Sequence, residues 1–417
     1  MSVIVQKYGG TSVADADRIR AVADRVTDAK RAGHDVVVVV SAMGDTTDEL
    51  MAMARSLAPT PNARELDLLL TAGERIAMSL LAVAINQAGY PAASYTGSQA
   101  GIITDTAHGK ASIIDIRPGR ILEALGRGHI VIVAGFQGVS TAYDVTTLGR
   151  GGSDTTAVAL ADALHAEACE IYTDVPGVFT ADPRIVPDAR KLHAVSYEEM
   201  LELASSGAQV LQLRSVEYAR ARGVKVHVRS SFSDEPGTWI TQEDARMGEQ
   251  AIISGVAADH SEAMVTIRSA PDRPGVAAAI FRAVAAQGLS VDLIAQARSS
   301  DDRADISFLV PKDELDRLEP AAKELVAAIS ADTYEADADV AKVSLVGAGI
   351  KAHPEVLADM FEALAEEGIN VELIAAASIR ISCVVRAADE ERAVRALHRR
   401  FGLGPDGGPL RSHDDDA

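Results

Sequence analysis

An internal repeat in the second half of the chain constrains its architecture more than any other feature. Ile280-Phe281-Arg282-Ala283-Val284-Ala285 is followed by Gly288 and then Leu289-Ser290-Val291-Asp292-Leu293-Ile294-Ala295. Met360-Phe361-Glu362-Ala363-Leu364-Ala365 is followed by Gly368 and then Ile369-Asn370-Val371-Glu372-Leu373-Ile374-Ala375, without a gap and 80 residues later. Each copy reads as a strand, a proline-bearing loop, an amphipathic helix, a glycine C-cap and a second strand. Pro274-Gly275 and Pro354 stand before the two helices, where proline suits the first helical turn. Two small α+β units are expected at 262–336 and 337–404. Residues 248–261 read as a linker or as a strand given to the second unit, making 248–336 and 337–404 the two domains. Residues 405–417, rich in Gly, Pro and Asp, read as a disordered tail.

The first part of the chain, 1–247, alternates strands and helices. Val36 to Val40 is a continuous β-branched run suited to a strand buried on both faces. Between it and Val3-Ile4-Val5, Ala14 to Arg31 places Ile19, Val22, Val26 and Ala29 on one helical stripe. The strand-like runs Ile130 to Val133 and Cys169 to Tyr172 flank a helical pattern over Thr155 to His165. The fold class is therefore α/β, a mainly parallel sheet sandwiched by helices, followed by two α+β units. Ligands of such a sheet bind at the carboxyl ends of its strands. Turn chemistry at Ser233-Asp234-Glu235-Pro236-Gly237 places the hinge between the halves at Ser231 to Glu249.

Sixty acidic residues against 40 basic ones leave a formal charge of −20, a field that repels nucleic acid and anionic membranes. An anionic small molecule must then be met by cations placed locally. The two cysteines lie far apart in apolar runs, and the histidines show no zinc-ligand spacing. No signal peptide opens the sequence and no apolar stretch approaches the length of a bilayer span, so the expected location is cytoplasmic.

Three segments carry the chemistry. Lys7-Tyr8-Gly9-Gly10-Thr11-Ser12 joins the first strand to the first helix; its glycines admit a close ligand and Lys7 adds a mobile cation. A plain glycine turn with a solvated lysine explains that segment equally well by itself. Thr146 to Thr156 opens the next helix with Ser153 or Asp154 as N-cap, and sets Arg150 among glycines where its guanidinium suits a carboxylate or phosphate. Thr173 to Arg184 is a strand end entering a long loop with Asp174, Asp182, Arg184 and Phe179, a composition fit for a nucleotide. Ser41 to Thr47 ends a strand and Thr71 to Arg75 opens a helix; each alone is more often a cap than a site. No Walker-type phosphate loop and no protein-kinase motif set occurs.

Taken together, these segments resemble the aspartate kinases of the amino acid kinase superfamily, above all the actinobacterial lysine- and threonine-regulated type, over residues 3 to 403. The repeats resemble paired ACT domains, that family's amino-acid sensors. The resemblance implies ATP-dependent phosphorylation of the aspartate side-chain carboxylate. It makes Lys7 and Asp154 catalytic, Lys7 stabilising the transferring charge beside the amides of Gly9 and Gly10, and Asp154 holding Lys7. It puts aspartate at Ser41, Thr47, Glu74, Arg150, Gly151, Gly152 and Ser153. ATP falls at Lys7, Tyr8, Gly9, Gly10, Thr173, Asp174, Phe179, Thr180, Asp182, Arg184 and Gln209, with Mg2+ held mostly by phosphate oxygens and water.

Two departures from the family pattern stand out. Gln209 occupies a position where the family usually has a lysine that reaches ATP, a change costing about 1.5–3 kcal/mol of one charge-assisted contact. Ala375-Ala376-Ala377-Ser378-Ile379-Arg380 lacks the Ser, Thr and Glu that help bind an inhibitory amino acid in the second repeat. Asp272, Gly275, Asp292 and Gln296 in the first repeat remain suited to an effector such as lysine or threonine, so feedback is expected to be weakened or altered. ACT pairing implies a homodimer or an α2β2-type oligomer. Two other readings are a sister kinase acting on glutamate, acetylglutamate, carbamate or an aspartate analogue, and an amino-acid-binding regulator with a decayed kinase half.

Overall fold

The structure, a computed structural model, describes residues 2–208, 210–242, 252–298 and 301–405. The first part is built on an eight-stranded sheet in the order Ala194–Ser196, Thr238–Thr241, Val226–Ser230, Ala168–Thr173, Val3–Tyr8, Asp35–Val40, Ile130–Ala134, Ala92–Tyr95. All neighbours run parallel except Val226–Ser230 and Thr238–Thr241. The β-branched run explains the layering, because successive side chains point to opposite faces. Val37 and Val39 pack with Ala157, Val158 and Leu160 of the helix Gly152–Ala163. Val36, Val38 and Val40 pack with Ile19, Val22 and Val26 of Ala16–Arg31 and with Leu81 and Ile85 of Ala63–Gln87. Helices on both faces of a mainly parallel sheet match the expected class. A smaller sheet, Ile113–Ile116, Ile102–Thr104, Gln137–Ser140, Val145–Thr147, which the sequence reading did not foresee, lies beside it.

Several expectations need correction. Thr238–Thr241 is a sheet strand, so turn 233–237 closes a hairpin rather than opening the hinge, while 243–251 lies outside the described residues. Of the tail expected at 405–417, residues 406–417 also lie outside them. Thr71 to Arg75 does not open a helix; it sits in the middle of Ala63–Gln87, which starts at the Asn62 cap. That helix is also long and apolar enough to cross a bilayer by length and composition, against the sequence reading. Its buried face packs on the sheet and holds buried Glu74, so it behaves as a core helix.

The C-terminal half forms two four-stranded antiparallel sheets. One runs Asp292–Arg298, Arg303–Pro311, Glu262–Pro271, Thr333–Asp337; the other runs Ile252–Asp259, Val340–Ala348, Arg380–Arg386, Leu373–Ala376. The strand Ile252–Asp259, which precedes the first unit in sequence, thus completes the second. Leu293 and Leu309 of one sheet share a cluster with Val340, Leu373 and Val384 of the other. Pro354 opens its helix as expected, but Pro274 stands outside its own, which is capped by Gly275.

Candidate active site

The carboxyl ends of the central strands converge on Lys7. Its side chain leaves the strand Val3–Tyr8 one residue before the end, and its Nζ lies 2.7 Å from Asp154 Oδ1, with the side chains 11% and 10% exposed. This is an ion contact rather than a well-angled hydrogen bond, since Asp154 Oδ1 has no hydrogen-bond partner. Asp154 is the third residue of Gly152–Ala163, so it is not the cap; the N-cap is Gly151, at φ +70°, where a Cβ would lie 2.3 Å from Gln212 Cγ. Only glycine fits there. Arg150 directly precedes that cap, exposed and with no side-chain partner among the described residues.

The glycine turn after Lys7 is stitched to its neighbours. Gly9 N–H donates to Tyr172 O at 3.3 Å and Gly44 N–H to Gly10 O at 3.0 Å. A Cβ on Gly10 would stand 2.8 Å from Ala42 O, so a side chain there would push apart the two loops. Ser12 Oγ meets Ser231 Oγ at 2.5 Å. On the far side, Gly135 follows the strand Ile130–Ala134 so close to the helix start that a Cβ would lie 2.7 Å from Ser153 Oγ. Ser41 follows the strand Asp35–Val40 and donates its N–H to Tyr8 O at 3.1 Å, and half-buried Thr47 lies in the first turn of the helix Thr46–Leu57.

Glu74 is 3% exposed. Its Oε1 accepts the Ala42 N–H at 3.3 Å, while its Oε2 is buried with no partner. Burial pushes its pKa up to about 7. A buried carboxyl with one oxygen unpartnered gains from a cation or a hydrogen-bond donor brought beside it.

A cation at Lys7, an acid beside it, amides of a glycine turn and a buried carboxylate with one unpartnered oxygen form a set suited to phosphoryl transfer. A model of the amino acid kinase family matches residues 2–230, and ACT domain models match 264–329 and 343–401. The chain is 56% identical to the aspartokinase of Mycolicibacterium smegmatis over 411 residues, 97% of each chain. It is 54% identical to that of Corynebacterium glutamicum over 409 residues, again 97% of each. The E. coli aspartokinase III structure in complex with aspartate and ADP superposes with a TM-score of 0.82 at 26% identity, over 96% of this chain and 99% of that one.

The chain belongs to the aspartokinase family.

As in other aspartokinases, the kinase half is followed by ACT domains, and the remaining residues singled out in the sequence can be placed on that frame. Tyr8 is fully buried and stacked on Tyr172 at 4.7 Å, so only its backbone faces the turn. Thr173 Oγ1 donates to Asp174 Oδ1 at 3.0 Å, and Phe179, half-buried, pairs with Lys191 through an isolated bridge. Arg184 grips Asp182 through its Nε and Nη2, holding the Asp182 carboxyl below its ordinary range.

The Thr180 hydroxyl is engaged within the protein. The residue is fully buried, its Oγ1 3.0 Å from His398 Nε2 and accepting the Arg190 N–H at 2.9 Å. Its side chain ties the loop to the second ACT domain. Gln209 lies outside the described residues.

In the first ACT domain Gln296 Nε2 donates to Asp272 Oδ1 at 3.4 Å, and Gly275 caps the helix Val276–Ala286. Asp292 is drawn elsewhere: its Oδ2 accepts from Lys342 Nζ at 2.7 Å. The sequence could not reveal that partner, which comes from the other repeat.

The raised Glu74 pKa predicts a pH dependence of definite sign. With the role that the family resemblance gives Glu74, only its ionised form receives the substrate ammonium, and kcat/KM for aspartate should then fall about tenfold per pH unit below 7. Stability moves the other way. The folded state holds this proton more tightly than the unfolded chain, so this group's contribution is present at low pH and is lost as pH rises from the ordinary glutamate range through 7. A Glu74→Gln variant should lose this acid limb, and pH–rate profiles of the two proteins check it.

Proposed function

We propose that this aspartokinase transfers the γ-phosphoryl group of ATP to the side-chain carboxylate of aspartate at the carboxyl end of the central sheet. The carrying observation is the contact between Lys7 and Asp154 at the mouth of the glycine turn. A carboxylate oxygen of aspartate attacks the γ-phosphorus, the bond to the β,γ-bridging oxygen breaks, and ADP leaves with that electron pair. Lys7 and the amides of Gly9 and Gly10 meet the charge on the transferring group, and Asp154 keeps the ammonium aimed there. No general base is needed, because the attacking carboxylate is already ionised near neutral pH. Glu74 receives the substrate ammonium and Arg150 clamps its α-carboxylate, with Ser41, Thr47, Gly151, Gly152 and Ser153 around them. ATP lies along Thr173, Asp174, Phe179, Asp182 and Arg184.

Magnesium is expected to accompany the nucleotide and to neutralise phosphate charge. An ion of this kind is held mostly by phosphate oxygens and water. Trapping the acyl phosphate with hydroxylamine tests the activity: aspartate should give hydroxamate in an ATP-dependent manner, and glutamate and N-acetylglutamate should not. Absence of any ATP-dependent product would leave only the reading of an amino-acid-binding regulator.

The E. coli aspartokinase III structure in complex with lysine and aspartate, 25% identical and with a TM-score of 0.73, is described as a T-state. In this chain the edge strand Leu373–Ala376 and the residues after it present Ala376 and Ala377 to the surface. Methyl groups there cannot accept from a ligand ammonium. Asp272, Gly275 and Gln296 remain as an effector site in the first ACT domain, and inhibition by lysine plus threonine is weakened. Titrating both amino acids into the assay checks this; strong inhibition at low effector refutes it. The ACT sheets also pair with a second copy, in a homodimer or an α2β2-type oligomer. A cytoplasmic setting suits two buried, unpaired cysteines.

A further inference from the structure

Asp67 is 1% exposed, yet no motif in the sequence singles it out. It lies on the helix Ala63–Gln87 two turns before Glu74, and both residues are buried. Its carboxylate accepts from Thr147 Oγ1 at 2.6 Å and from the Gly109 N–H at 3.1 and 3.2 Å, and its Oδ2 faces His108 Nδ1 at 2.6 Å. All three partners lie in the two segments beside Arg150, the end of one strand and the loop it touches. Thr147 ends the strand Val145–Thr147, and Leu148-Gly149-Arg150 follows at once. A Cβ on Gly149 would lie 3.0 Å from Gly109 O, so the loops touch. From the other side Arg214 donates to Leu148 O and Ala111 O, each at 2.8 Å.

A carboxylate this buried is stable only while its donors stay in place. The helix that carries Glu74 is thereby fastened to the segment that carries Arg150. We infer that Asp67, through Thr147, Gly109 and His108, is a positioning residue that sets the separation between Glu74 and Arg150, and with it the recognition of the amino and carboxylate groups at the α-carbon of aspartate. The inference rests on the roles given above to Glu74 and Arg150. Asp67 acts on the substrate only through them. A geometric shift of about 1 Å at such a clamp is enough for a large loss.

The test uses the full chain and reads the KM for aspartate, the KM for ATP and kcat separately. Asp67→Asn should raise the aspartate KM about tenfold or more, with the ATP KM unchanged. Thr147→Val, which removes a single hydrogen bond, should move it in the same direction by less, and guards against a folding failure of the first variant. The double variant Asp67→Asn/Arg150→Ala should be no worse than Arg150→Ala, because both act at one clamp. Losses that multiply in the double variant, or a fall in melting temperature with an unchanged aspartate KM, overturn the positioning role. An unchanged aspartate KM in Arg150→Ala overturns the clamp and the inference together, whereas an effect there without one in Asp67→Asn overturns only the inference.

Discussion

Lys7→Ala is expected to lower kcat by about three orders of magnitude, the upper end of what the loss of one preorganised donor at a developing charge costs. The loss should fall on kcat because the ammonium matters most when charge spreads over the transferring group. Asp154→Asn should cost less, since it removes the partner of Lys7 and leaves the cation in place. The pair is nearly buried, with its Nζ and Oδ1 2.7 Å apart, so Lys7→Ala also strands a carboxylate. A melting curve beside the hydroxamate assay separates that destabilisation from chemistry. A kcat within tenfold of the parent enzyme would remove Lys7 from the mechanism.

The second large effect concerns the junction of the three domains. Lys342, 1% exposed, lies on the strand Val340–Ala348 of the second ACT domain. Its Nζ is 2.7 Å from both Glu262 and Asp292 of the first ACT domain and donates to Ser205 O of the kinase helix Tyr197–Ser205 at 3.0 Å. Arg380 extends the cluster to Glu202 at 3.1 Å. Burial alone would push the Lys342 ammonium down, but the two carboxylates outweigh it and hold its pKa above the ordinary lysine value. Lys342→Met leaves half-buried Glu262 without its counter-charge and Asp292 with only Arg380, 3.7 Å away, and should destabilise the protein by about 3–5 kcal/mol. Adding Glu262→Gln and Asp292→Asn should recover much of the loss, because the unpaired charges go with the cation. Thermal denaturation of the single and triple variants reads the difference. An unmoved midpoint for Lys342→Met would mean that the carboxylates are solvated instead of held.

The chemistry of the site was legible where it is written in consecutive residues. A strand ending in Lys7 and running into Gly9-Gly10, and a glycine run carrying Arg150 into a helix, specify their own local geometry. Asp154 could be named as the holder of Lys7 only through the family resemblance, since 147 residues separate them. What the sequence left out has the same origin. Ser153 and Asp154 look like caps, but Gly151 takes that position because Gln212 closes over it. Thr180 looks like part of a nucleotide loop, but His398, 218 residues on, claims its hydroxyl. Asp292 looks like an effector ligand until Lys342 arrives from the other repeat.

By itself the sequence determined the classes of element and their order: the alternating half, the duplicated α+β unit and the glycine-bounded cations. Those follow from periodicity and from the few conformations that glycine and proline favour, which are properties of short segments. Only the tertiary structure decided which buried charges meet. It gave Glu74 an empty oxygen, set Asp67 against three donors from two loops and closed Lys342 between two carboxylates. An ion's environment is the sum of what surrounds it within a few ångströms, and in a folded chain most of those neighbours are remote in sequence.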